Sequence, residues 1–360
     1  MRSILYYITG HGYGHAVRSI QVIRALQEAT PAIRVHVRTT APQWLFASLP
    51  RPVSYTARSI DVGVIQPDSL RMDLAATLSA CSDLQDRLPQ LLDEEVEFVQ
   101  AQKIDLIIGD IPPPCFDIAS RAKIPSVAIT NFTWDVIYLA YAEEYPQFTP
   151  IIAAMRQSYS KSTLALTLPY PCDMSMFPRH EPIPWITRRS SLSRLQARAR
   201  FGLPESSTVV LLSFGGIGLE TLPFQHLKAM SEFDFVATGG GKSQGNFHVL
   251  DGAQRRYEDL LCAADVVVTK PGYGIVADVL AHRVPILYTE RGNFSEYQFL
   301  VRALNELATA EFVQQGTLRA GDLRPSLQRL LGKNTHWPAV RLDGANVAAE
   351  RILALLDADR

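Results

Sequence analysis

The sequence offers no close pairing of cysteines. Cys81, Cys115, Cys172 and Cys262 lie far apart, with no C-x-x-C spacing and no accompanying histidine cluster. That excludes a disulfide framework and a zinc site of the usual spacing, and it reads as isolated thiols in a reducing compartment. Charge of one sign is not in excess either, since 35 basic residues face 36 acidic ones. The basic footprint expected of a nucleic-acid binder is therefore missing. No apolar run reaches membrane-spanning length, and the short one at the N-terminus carries a single basic residue and meets glycine too early for a signal peptide. These absences lead to the expectation of a soluble, cytoplasmic protein without a nucleic-acid partner. There is also no low-complexity segment, no short repeat and no G-K-[ST] phosphate loop.

What is present is a long alternation. With 360 residues and 47% hydrophobic content, the chain can bury the cores of two domains. Apolar runs of strand length fall at Ile4–Ile8, Ile33–Val37, Leu106–Ile108, Ser126–Ile129 and Thr163–Thr167. A second series follows at Thr208–Phe214, Phe233–Ala237, Phe247–Val249, Asp265–Val268 and Val284–Tyr288. Strands separated by helical stretches predict α/β architecture with parallel sheets and crossover helices. Residues 169–191 carry five prolines and little periodicity, and so read as a connector. The expected division is 1–168, a first Rossmann-like domain; 169–191, the connector; 192–340, a second such domain; and 341–360, a C-terminal helix packing back toward the first domain. Two starts of strand, glycine loop and helix suggest doubly wound domains facing across a cleft.

Three segments carry candidate chemistry. In "TGHGYGH" (residues 9–15) a buried strand ends in Gly10, Gly12 and Gly14 before a helical pattern begins. Glycines permit close backbone approach, and a helix N-terminus directs free N–H groups and a positive dipole end into such a loop. The spacing does not match G-x-G-x-x-G. His15 at the helix start is either a general base for a hydroxyl or simply a cap. In "SFGGIG", Ser213, Gly215 and Gly216 offer a hydroxyl and bare amides, or an ordinary strand-to-helix turn. The third segment, residues 257–300, places Lys270, Gly272, Gly274, Glu290, Arg291 and Glu296 after consecutive strands, where open α/β sheets bind ligands. Glycines at a helix start suit a pyrophosphate, Lys270 or Arg291 adds positive charge, and Asp278, one turn in, suits the vicinal hydroxyls of a ribose.

The third segment resembles the donor-binding part of GT-B glycosyltransferases, notably the peptidoglycan N-acetylglucosaminyltransferase that makes the second lipid intermediate. "GHGYGHAVR" is similar to that family's first glycine loop and places His15 on its candidate base. "SFGGIG" is similar to the second loop, and Pro271-Gly272-Tyr273-Gly274 with Asp278 to the donor loop and its acidic ribose ligand. The GHGYGH start and "ERGNFSEYQFL" also resemble predicted glycosyltransferases akin to the N-terminal half of plant arabinose kinases. Two departures stand out. His11 separates Gly10 from Gly12, adding an imidazole for the acceptor or donor phosphate, and the polar pair after the last strand is replaced by Glu296-Tyr297-Gln298. The resemblance also puts the nucleotide base near Phe247–Leu250, hence Val249.

The resemblance implies a transferase that takes a nucleoside-diphosphate sugar, with UDP the expected nucleotide, and uses no cofactor and no metal. His15, with His11 beside it, would act on the acceptor hydroxyl. The first domain would bind the acceptor through Asp110, Asn131 and Trp134, although Trp134 and Tyr138 equally suit core packing. Trp44, Leu45 and Phe46 hint at contact with a membrane or lipid-linked acceptor; a small molecule or glycan is the other expectation. Two alternatives stay open: a non-hydrolysing UDP-sugar 2-epimerase, and a non-catalytic sugar-nucleotide-binding protein.

Overall fold

The computed structural model describes residues 2–66, 72–214, 223–239, 241–252 and 256–358. The chain divides into two units. The first comprises Met1–Ile186, Asn293–Phe299 and Arg341–Arg360, and the second Thr187–Gly292 and Leu300–Val340.

Seven strands of the first unit form one sheet: β1 (Ser3–Ile8), β2 (Arg34–Thr39), β3 (Ser54–Ala57), β4 (Leu106–Asp110), β5 (Ser126–Thr130), β6 (Leu164–Thr167) and β7 (His180–Pro182). Their order is β3-β2-β1-β4-β5-β6-β7, and every pairing is parallel. A parallel strand covered by helices on both faces is apolar along its whole length, which is why "SILYYI" and "LIIGD" lack alternation. The edge strands β3 and β7 are short and part-exposed, and the pattern of apolar runs does not reveal them.

Six strands of the second unit form the other sheet: β8 (Thr208–Ser213), β9 (Phe233–Thr238), β10 (Phe247–Leu250), β11 (Val266–Thr269), β12 (Ile286–Tyr288) and β13 (Ala310–Phe312). Their order, β10-β9-β8-β11-β12-β13, repeats the winding of the first sheet. Its core includes Val210, Leu212, Phe235, Val268, Leu287 and Leu327. In each sheet the winding reverses beside the first strand, between β1 and β4 and between β8 and β11. Ligands of doubly wound sheets bind beyond the carboxyl ends of strands at such a point.

The first switch point positions the site. Parallel pairing sets Ile8 level with Asp110. After Ile8 the chain makes a tight loop into the helix Tyr13–Ala29, capped by Gly12 at φ 76°, a left-handed conformation that favours glycine. At Gly10 a Cβ would stand 1.9 Å from the Thr40 hydroxyl, so this loop runs close against the end of β2. The helix buries Ala16, Ile20, Val22, Ile23 and Leu26 and packs against the C-terminal helix Gly344–Ala358. Among the described residues, no helix is long and apolar enough to cross a membrane.

Candidate active site

Asp110 ends β4 and is fully buried (0% exposed), yet ionised. Burial pushes its pKa up, but the Arg18 charge, then that of His15, and hydrogen bonds from both overcome this and hold it at about 2. Its Oδ1 lies 2.7 Å from His15 Nδ1. Arg18 donates Nε–H to Oδ2 at 2.6 Å and a second N–H to Oδ1, and the Ser19 hydroxyl donates to Oδ2 at 3.1 Å. His15, Arg18 and Ser19 are three and four residues apart on one helix, the spacing that stacks side chains on one face. An ionised carboxylate only accepts, so this contact asks for a proton on His15 Nδ1, while Arg18 Nη2, itself only a donor, also lies 3.0 Å from that nitrogen.

The network continues beyond Asp110. Arg18 also donates to Asn131 Oδ1 at 2.9 Å, and Asn131 Nδ2 donates to Glu296 Oε1 at 2.7 Å. Glu296 is buried within the first unit, to which Asn293–Phe299 belongs. It is expected from sequence among the donor-site residues, and Asp110, Asn131 and Trp134 among those that meet the acceptor. Asp110, Asn131 and Trp134 are all fully buried, the first two by the charged network and Trp134 in an aromatic cluster. None of them presents a surface to an acceptor.

His11 lies in that cluster, edge-on to Trp134 with centroids 5.2 Å apart and parallel to Phe294 at 6.1 Å. Phe132 bridges the two imidazoles' surroundings, 5.5 Å from His15 and 5.3 Å from Trp134. Trp134 Nε1 donates to Asp61 Oδ2 at 2.9 Å. Gly12 and Gly14 are exposed, and a Cβ at either would meet open space. Trp44 lies edge-on to Tyr13, while Phe46 is buried beside Tyr55.

In the second unit, Gly215 and Gly216 lie outside the described residues. The Ser213 hydroxyl at the end of β8 pairs with the Tyr257 hydroxyl at 2.7 Å. Burial above all pushes the Tyr257 pKa to about 12, so that hydroxyl stays protonated. After β11 come Lys270 and the helix Tyr273–His282, whose N-cap Gly272 provides no side-chain cap. Arg291 donates to the Pro271 carbonyl at 3.4 Å, and its guanidinium stands 3.8 Å from where a Gly272 Cβ would be. A cation at a helix N-terminus adds to the positive dipole end, an arrangement that suits an anion. Tyr273 is buried and Gly274 half-buried. Val249 packs against the core, and its N–H donates to the Ser243 hydroxyl at 2.9 Å.

Two other expected donor residues are occupied. Glu290 accepts from the Thr289 hydroxyl at 2.7 Å and the Gln315 amide at 2.8 Å. Asp278 is 1% exposed. Its Oδ1 accepts from the Thr187 hydroxyl and Arg188 N–H, and its Oδ2 from Arg188 Nε, each at 3.0 Å, with Arg188 Nη2 at 2.5 Å. All its lone-pair directions are taken, so in this structure it anchors the connector's end. Residue patterns did not single out Arg18, Asp61, Phe132, Phe294 or Arg188. Arg18 had a legible signal, standing one turn beyond His15 on the same helical face; the others depend on tertiary contact.

The chain is 31% identical over 356 residues to L-arabinokinase of Arabidopsis thaliana. That match takes in 96% of this chain and 33% of the other, so the chain spans about a third of that relative's length. Among solved structures, UGT89C1 of Arabidopsis thaliana is similar with a TM-score of 0.62 at 16% identity, over 98% of this chain and 99% of that one. MurG of Acinetobacter baumannii is similar with a TM-score of 0.55 at 14% identity, over 99% of both chains. At these identities the likeness concerns the fold, which is GT-B, with two Rossmann-like sheets. The sequence pattern of Glycosyl transferase family 1 matches residues 2–305, most of the chain, which therefore belongs to that family.

Proposed function

We propose that the protein transfers a sugar from a nucleoside-diphosphate sugar, with UDP as the nucleotide, to an acceptor hydroxyl, with His15 as general base and no metal ion. The observation that carries this reading is the 2.7 Å contact between His15 Nδ1 and the ionised Asp110. The carboxylate fixes the tautomer and stabilises the imidazolium that forms, as in a catalytic triad. Nε2 takes the acceptor proton, the freed oxygen pair attacks the anomeric carbon, and the bond from that carbon to the diphosphate breaks, its electrons leaving with UDP. In the second unit the amide end of helix Tyr273–His282, with Lys270 and Arg291, supports diphosphate binding and offers the charge stabilisation that a metal would otherwise supply. The acceptor is a small molecule, a glycan or a lipid-linked compound.

Positioned general-base catalysis contributes about 10²–10⁴-fold. His15→Ala is expected to lower sugar transfer by about that factor while leaving the UDP dissociation constant within about twofold. Unchanged turnover would remove His15 from the role. The nucleotide is read by thermal shift: a ligand at 100 times its Kd stabilises by about 2.7 kcal/mol. UDP is expected to raise Tm above GDP, ADP or dTDP, and equal response to all four, or to none, would overturn the assignment.

A further inference from the structure

The amino ends of β11, β12 and β13 border a cavity of about 250 Å³, the volume of about eight water molecules. Asp265, Pro285 and Thr309, each just ahead of one of these strands, line it together with Arg194, Arg283 and Lys333. All belong to the second unit, at the opposite end of its strands from Lys270 and Arg291. The carboxylates here are already answered. Asp265 accepts from Arg194 at 2.9 Å and from the Val209 N–H at 2.8 Å, and pairs with Arg198 as well. Glu311 pairs with Lys333 at 2.6 Å and with Arg329 at 2.9 Å. Arg194, Arg198, Arg283, Arg329 and Lys333 thus face only Asp265 and Glu311, an excess of three positive charges in a chain of net charge −1. Arg283 is the cation left over, exposed and without a hydrogen bond or ion pair among the described residues. It caps the helix Tyr273–His282 at φ 53°, a left-handed position where glycine is usual. The helix dipole favours a cation there but supplies no acceptor for its five N–H groups. Thr309 is 3% exposed, and its hydroxyl accepts the His336 N–H at 2.9 Å yet donates to nothing among the described residues. A buried donor without an acceptor is costly, and a ligand oxygen would satisfy it.

We propose that this cavity binds a small phosphate monoester, its oxygens held by Arg283, Lys333 and the Thr309 hydroxyl and its carbon skeleton set against Pro285 and the buried Leu330. A guanidinium fork, an ammonium and a hydroxyl together suit the three free oxygens of a phosphoryl group better than the two of a carboxylate. The charge agrees, since a phosphate monoester carries about −1.5 to −2 at pH 7 and offsets most of the local excess. The volume is too small for a nucleoside-diphosphate sugar, so this is a second site and not part of the donor site. The ten-residue helix Tyr273–His282 spans the two, with Gly272 at the donor end and Arg283 at this cavity. At 1.5 Å per residue they stand about 15 Å apart, far enough for both to be occupied at once. The proposal is independent of the role given to His15.

The test is isothermal titration calorimetry of the full chain with glycerol 3-phosphate as probe, at about 0.15 M salt so that long-range charge is screened. A Kd of about 1 mM or tighter is expected, with inorganic phosphate weaker and glycerol without effect. Arg283→Gly removes the guanidinium and suits the left-handed backbone, so the fold is kept; its Tm is expected at or above that of wild type. The same change is expected to weaken probe binding about tenfold or more, the loss of a charge-assisted contact. Arg291→Met, at the other end of the helix, and an excess of UDP are each expected to leave the probe's Kd within about twofold. No binding by about 10 mM, or an Arg283→Gly affinity equal to wild type, overturns the proposal. So does inorganic phosphate binding as tightly as the ester, which would mean that the cavity holds no carbon skeleton. Displacement of the probe by UDP, or its loss in Arg291→Met with retention in Arg283→Gly, would place the phosphate at the donor end and equally overturn it.

Discussion

Replacing Asp278 with alanine separates two roles for this carboxylate. The sequence suggests a ribose ligand, whereas the structure fills all its acceptor directions with Thr187 and Arg188. The side chains of the ion pair are 2% exposed for Asp278 and 19% for Arg188, so removal of the carboxylate leaves a largely buried guanidinium without its counter-charge. Breaking a buried pair from one side costs about 3–5 kcal/mol. The Tyr257 ring lies 4.6 Å from the guanidinium carbon and continues to face the cation in the mutant. A cation–π contact contributes about 0.5–2 kcal/mol, which places the expected loss near the lower end, about 3 kcal/mol. Equilibrium urea denaturation reads this as a lower midpoint at unchanged slope for the transition of the second unit. The paired change Arg188→Met with Asp278→Leu removes both charges and is expected to recover most of the loss. If Asp278→Ala leaves the midpoint within about 0.5 kcal/mol of wild type yet weakens UDP binding a hundredfold, the anchor reading is wrong and the ribose reading stands.

Further outcomes follow from single contacts. Asp110 has its carboxyl held at about 2 against an ordinary 3.8, a depressed value, so the stability it contributes is present above about pH 4 and disappears as pH falls toward 2. That amounts to about 2 kcal/mol, and Asp110→Asn is expected to flatten this part of the acid-denaturation curve; an unaltered curve would refute it. Asp61 works in the opposite sense, because burial raises its pKa and its contribution fades as pH rises through the raised value. Gly344 opens the C-terminal helix with its Cβ position 2.1 Å from the Pro184 carbonyl oxygen. Gly344→Ala is thus expected to lower Tm, whereas an unstrained site would gain about 0.4–1 kcal/mol from the same change.

The central strands were legible because physics leaves them little choice. A parallel strand buried on both faces must be apolar throughout, and the runs in β1, β4, β5, β8 and β11 announce themselves within a residue or two of their ends. The edges β3, β7 and β13 carry no such requirement. With one side unpaired and solvent beside them, "SYTA", "HEP" and "AEF" read as loop. The glycine loop ahead of His15 was legible for a different reason, since a strand must turn sharply to start a helix there, and Gly12 takes the left-handed conformation.

The site was legible in its positions and not in its pairings. Sequence identified His15, Asp110, Asn131, Asp278 and Glu296 as chemically notable because each follows or ends a strand. A strand end predicts proximity to a ligand, but it does not say whether a charged neighbour reaches that end first. Arg18 reaches Asp110 and Asn131, and Arg188 reaches Asp278, so carboxylates that pattern alone assigns to a substrate are spoken for by guanidinium groups. The same desolvation that makes an unpaired buried carboxylate costly explains why partners are present. His15 differs in kind. An imidazole can satisfy one nitrogen with Asp110 and keep the other available, so burial of its partner sharpens its chemistry where burial of a carboxylate's partner blocks it.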